Sequence, residues 1–192
     1  MLIGLYPVAY AFMPNSANLL STKPDAVLQN PLWQLAFYGH ISFGGLALLV
    51  GWSQFSARLR QQRMALHRFL GKIYIVAVIL SGLGSAYAAF YATGGIIPTL
   101  GFLALAVVWL LSTTLAYTAV RSGNIVRHQR LMTYSYAACF AAVTLRIWLP
   151  LLIVGFGDFI VAYQVVAWLS WVPNLLVAAL LNNVASSRVQ GA

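Results

Sequence analysis

From residue 32 onward the chain alternates long apolar runs with short polar breaks. The runs cover about 32–56, 67–92, 96–120 and 125–154, with a fifth ending near Leu181. Each is long enough for a helix, rising about 1.5 Å per residue, to cross roughly 30 Å of hydrocarbon. The breaks are turn chemistry: Thr93-Gly94-Gly95, Arg121-Ser122-Gly123-Asn124 and Gly155-Phe156-Gly157-Asp158. Pro98 suits the first turn of a helix, and Pro173 predicts a kink in the fifth run. The pattern predicts an all-α fold, a polytopic transmembrane helical bundle of five full spans.

Ahead of the spans, residues 1–13 form a short apolar segment interrupted by Pro7. It lacks a basic leader and a small-residue cleavage site, so a partial span or interfacial helix is expected rather than a secretory signal. Residues 14–31 read as an external polar loop with three prolines. The expected organisation is therefore a segment and loop over 1–31, a bundle over 32–182 and a flexible cytoplasmic tail over 183–192.

Composition agrees with this reading. The 192 residues are 61% hydrophobic and 7% charged, whereas a soluble domain is about 25% charged. The net charge of +9 sits in short loops beside the spans, so it points to orientation and anionic lipid, not nucleic acid. Arg58, Arg60, Arg63, Arg68, Lys72, Arg121, Arg127, Arg130 and Arg188 fall on one side, against Lys23 and Arg146 on the other. The positive-inside rule then places loops 57–67 and 121–127 in the cytoplasm of a bacterial cell, with the bundle in the inner membrane. One cysteine, Cys139, excludes an intrachain disulfide and a multi-cysteine metal site. Two acids, Asp25 and Asp158, and no glutamate exclude a carboxylate-rich magnesium or calcium site and chemistry on paired carboxylates.

Steps of 4, 7, 11, 14 and 18 residues stay on one helix face. On the first span this walk reads His40, Gly44, Ala47, Gly51, Gln54, Arg58; on the second, His67, Gly71, Tyr74, Val78, Ser81, Ser85; on the fourth, His128, Met132, Ser135, Cys139, Ala142, Arg146. Each face carries a histidine and is otherwise mostly small. Membrane helices associate through close packing of small residues and a few polar contacts, so the three faces are expected to meet at the bundle centre. By depth, His67 and His128 belong at the basic end, and His40 and Arg146 near the opposite boundary, with Asp158 folding back onto Arg146.

Two histidines at one depth suggest haem b, with His67 and His128 as iron ligands. Gly71 would make room for the ring, and Arg58, Arg63, Arg68 and Arg130 would meet the propionates. A second candidate is a quinone or lipid head group bonded by His67, Tyr74, His128 and the arginines. A soft copper site from His128, Met132, Cys139 and Met64 is weaker. The leading functional expectation is a small haem b- or quinone-binding, redox-associated membrane protein with its site at the cytoplasmic end. The alternative is a non-enzymatic subunit or scaffold that packs another membrane protein through its small-residue faces. A transporter would need a continuous polar path, which the seam of serines, Cys139 and Tyr74 does not supply.

The run His40-x-x-x-Gly44, Gly51-x-x-Gln54, His67-Arg68-x-x-Gly71-x-x-Tyr74, His128-x-x-x-Met132 and Arg146 resembles the bacterial membrane proteins grouped as domain-of-unknown-function family 2306. The resemblance covers roughly residues 32–152 and implies a fold and a membrane location, with no activity to carry over. Members of that family open with a fuller first helix than MLIGLYPVAYAFM, so a truncated start is expected.

Overall fold

The structure, a computed structural model, describes residues 19–190, with side chains over residues 20–184. The expected apolar segment 1–13 lies outside the described residues. Among the described residues the fold is all-helical, with five helical segments long and apolar enough to cross a membrane: Pro31–Phe55, Met64–Ala89, Ile96–Arg121, Ile125–Phe156 and Phe159–Val184. The element order is α1 (Asp25–Leu28), α2 (Pro31–Gly51), α3 (Ala57–Gln62), α4 (Met64–Ala89), α5 (Ile96–Arg121), α6 (Ile125–Cys139), α7 (Ala141–Phe156), α8 (Phe159–Leu169) and α9 (Val172–Gln190). Short 3-10 turns precede α1 at Leu19–Thr22 and follow α2 at Trp52–Phe55.

Local chemistry sets the ends. Asn30 caps α2, its side chain accepting from the Leu32 and Trp33 amides, with Pro31 at the first helical position. Ser56 caps α3 and Asn124 caps α6 in the same way. Gly94 and Gly95 turn the chain between α4 and α5 at φ of 97° and 83°, a region closed to most side chains. The second span begins at Met64, a turn earlier than the apolar run suggests, so His67 lies inside its first turn. Two spans are stepped. The fourth breaks at Phe140, between α6 and α7, and the fifth breaks at Ser170-Trp171, just before Pro173. The last helix continues past Leu181 to Gln190.

α2 packs most extensively on α4, α5 lies between α4 and α6, and α7 packs chiefly on α8. The helices approach closely where side chains are smallest. A Cβ on Gly84 would come within 2.6 Å of the Ala36 carbonyl oxygen, and one on Gly51 within 2.7 Å of the Tyr74 and Tyr136 rings. The three small-residue faces share one axis: Ala47, Tyr74, Val78, Met132 and Cys139 form a single buried cluster. Large apolar side chains such as Leu35, Val76, Leu83 and Leu176 point outward, as lipid contact requires.

Several polar side chains within the spans are paired across helices. Thr113 donates its hydroxyl to the Trp109 carbonyl oxygen at 2.7 Å. The Ser135 hydroxyl lies 2.6 Å from the Thr113 hydroxyl and 2.8 Å from that of Tyr74. Since Thr113 spends its proton on a carbonyl, the chain runs one way: Tyr74 donates to Ser135, Ser135 to Thr113, and Thr113 to Trp109. Gln164 donates to the Gly94 carbonyl, and Asn174 donates to the Ala137 carbonyl, linking α8 and α9 to their neighbours. Trp148 and Trp168 are turned outward, whereas Trp171 is buried.

Candidate functional site

Arginine and histidine in the middle of a membrane helix are costly unless they face an interior. His40 lies nine residues inside the Pro31 end of α2, and Arg146 ten residues before the Phe156 end of α7. At about 1.5 Å per residue each is roughly 14–15 Å from that end of its helix. The sequence reading set them near the boundary. Both lie within their helices and not at the ends, because α2 and α7 each continue beyond the eighteen-residue walk that located them.

Both residues line one cavity of about 400 Å³ in the half of the bundle away from the basic loops. It lies among α2, α4, α5 and α7, with Tyr163 of α8 and Lys23 at its rim. Its walls are mainly aromatic and aliphatic, including Trp33, Phe37, Phe102 and Trp109. The step at Phe140 separates α7 from α6, and the cavity lies between α7 and the three helices opposite.

His40 is held by a reciprocal clasp. Its Nδ1 lies 3.1 Å from the Ser81 carbonyl oxygen, and the Ser81 hydroxyl donates to the His40 carbonyl at 2.8 Å. A carbonyl oxygen only accepts, so Nδ1 carries the proton and the neutral ring keeps a lone pair on Nε2. Arg146 donates from Nη1 to the Ala142 carbonyl one turn back on its own helix. Asp158 does not fold back onto Arg146. Its carboxylate accepts from the Val161 amide at 2.8 Å and caps α8, a local bond that needs no long reach.

Lys23 sits outside the spans. Its ammonium donates to the Tyr91 carbonyl and to Thr93 Oγ1, tying the segment before α1 to the α4–α5 turn. Burial against that turn pushes the Lys23 ammonium down to about 8.

The basic end is arranged differently. Arg60, His128 and Arg68 all lie within electrostatic reach of His67. The His128 ring is bound through Nδ1 to the Ala116 carbonyl of α5 at 2.9 Å, and His67 Nδ1 is buried without a hydrogen-bond partner. Neither histidine lines the cavity. Gly71 opens onto Gln54, whose side-chain oxygen would lie 3.1 Å from a Cβ there, so the clearance assigned to a porphyrin is filled. Tyr74 is fully buried in the hydroxyl chain and does not face that end. Arg58, Arg68 and Arg130 are exposed, and Arg58 bonds to Gln62. Among the described residues no group of three or more His, Cys, Asp or Glu side chains could hold a metal ion.

The sequence reading singled out His40 and Arg146 but not Lys23, Trp33 or Phe102. Lys23 belonged to a stretch without periodicity, and an aromatic wall looks like any other apolar run. The chain matches the family described as predicted membrane protein, DUF2306, over residues 37–182, and it belongs to that family. No curated protein and no solved structure matches it.

Proposed function

We propose that this DUF2306 membrane protein binds a membrane-borne amphiphile in the cavity between His40 and Arg146. One observation carries the reading. Two ionisable side chains from separate spans, each roughly 14–15 Å from the end of its helix, open onto one apolar, aromatic cavity. A volume of about 400 Å³ falls within the range of small-molecule sites, roughly 300–1,000 Å³. Apolar walls with a few convergent polar groups suit a ligand with an oxygen-bearing head and a hydrocarbon body, the class that includes quinones and lipids.

The site assigned to this role thus moves from the basic end to the opposite half of the bundle. Haem b on His67 and His128 has less support, because Gln54 fills the space beside Gly71 and Arg58 is engaged by Gln62. The scaffold alternative loses its argument as well, since the small-residue faces are consumed within the chain. In this reading the protein sits in a bacterial inner membrane with loops 57–67 and 121–127 in the cytoplasm, and the cavity lies in the outer half.

Photo-crosslinking tests the assignment. A palmitoyl probe with a diazirine on its chain, illuminated with the protein in nanodiscs, should label the peptide spanning residues 138–150. Labelling confined to outward residues such as Leu83 and Leu176 would count against it.

A further inference from the structure

We infer that the head group held in the cavity is a hydrogen-bond donor, a neutral hydroxyl on an apolar body, and that His40 Nε2 accepts from it; this rests on the amphiphile-binding reading and names its ligand class.

Two helices build the acceptor. His40 Nδ1 lies 3.1 Å from the Ser81 carbonyl oxygen and 3.0 Å from the Ser81 hydroxyl oxygen, whose own proton goes to the His40 carbonyl. The Nδ1 proton is thereby spent on α4. Glycines permit the approach. A Cβ on Gly44, one turn along α2, would stand 3.0 Å from the Ser81 hydroxyl oxygen, and one on Gly84 of α4 would stand 3.4 Å from the His40 Cβ. One edge of the ring is pinned, and His40 lines the cavity with the rest. Among the described residues Nε2 has no hydrogen-bond partner. In the neutral ring with Nδ1 protonated it carries a lone pair and no proton.

That lone pair selects among amphiphiles. A hydroxyl proton meets it directly. A carbonyl, ether or carboxylate oxygen would set lone pair against lone pair. An alcohol or hydroquinone therefore fits where the matching ether or quinone does not. Other polar groups on the wall are donors with partners of their own. The Arg146 guanidinium is engaged within the protein, Lys23 is tied to Tyr91 and Thr93, and Ser85 donates to the Gly82 carbonyl. The apolar walls, with Phe102, Trp109 and Leu149 among them, accept an aliphatic chain or a ring.

Native mass spectrometry of the detergent-solubilised chain tests this with two matched pairs: hexadecanol against hexadecyl methyl ether, and decylubiquinol against decylubiquinone. The hydroxyl member of at least one pair should be retained about fivefold more than its partner, the worth of one hydrogen bond. The pair that is held better separates an aliphatic alcohol from a phenol. His40→Phe, which keeps the ring and removes the acceptor, should bring that ratio to about one. Where His40→Phe does not fold, nitrogen-15 NMR of the wild type replaces it: the His40 Nε2 signal should move upfield with the retained hydroxyl probe and stay in place with its partner. Equal retention within both pairs, a preference that survives His40→Phe, or an Nε2 signal that no hydroxyl moves overturns the donor assignment and leaves the amphiphile reading standing. Retention of none of the four overturns both.

Discussion

His40 and Ser81 hold each other across the α2–α4 interface, the serine hydroxyl donating to the histidine carbonyl at 2.8 Å while His40 Nδ1 meets the Ser81 carbonyl at 3.1 Å. The pairing fixes the ring's tautomer and therefore what its other nitrogen offers the cavity. Nitrogen-15 NMR of histidine-labelled protein near pH 8 should show the His40 signal in the Nδ1–H form. An Nε2–H form would mean that the ring is turned and the clasp is absent.

The contact between Gly84 and the Ala36 carbonyl leaves no room for a methyl group, because a Cβ would lie 2.6 Å from backbone oxygen. Gly84→Ala should destabilise the protein by about 1–3 kcal/mol through overpacking. Gly39→Ala, with nothing within 4 Å of its Cβ, should be neutral or stabilising by up to about 1 kcal/mol. Unfolding in mixed detergent micelles distinguishes them; similar losses at both positions would show that α2 and α4 do not approach as described.

The hydroxyl chain Tyr74–Ser135–Thr113 ties α4 to α6 and α5. Ser135→Ala removes the central acceptor and leaves the buried Tyr74 hydroxyl without its partner. A loss of about 0.5–2 kcal/mol is expected, typical of hydrogen bonds between membrane helices. Tyr74→Phe with Ser135→Ala should cost less than the sum of the two single changes. Strict additivity in the same unfolding assay would show the groups to be uncoupled.

Lys23 gives the rim a pH signature. Its folded-state value is near 8 and its ordinary value 10.5, so between those limits the unfolded chain binds more protons. Stability relative to Lys23→Met should therefore rise from about pH 8 toward 10.5 and be flat below 8. A difference that falls over this range would indicate an ion pair at Lys23 instead of burial.

Much of this arrangement was legible in the sequence. The three walks met on one axis because helical period and small side chains are both local properties, written directly in the spacing of His40, Gly44, Ala47 and Gly51. What the spacing does not carry is the break at Phe140, where neither proline nor glycine marks the step that separates α7 from α6. Without that break Arg146 and His40 look like two boundary residues, not two sides of one cavity. The space beside Gly71 is a related case. A missing side chain records that space is needed, but not that Gln54, from another span, takes it.

The account's central claim concerns occupancy of the His40–Arg146 cavity. Ala142 lines it, and Ala142→Phe would fill part of its volume without removing a charged group. The most direct test is to extract wild type and Ala142→Phe from the membrane in mild detergent and to identify by native mass spectrometry what each retains. The prediction is a stoichiometric amphiphile on the wild type that is absent, or reduced at least fivefold, on the filled variant. An empty wild-type protein, or the same adduct at the same occupancy on both, would contradict it.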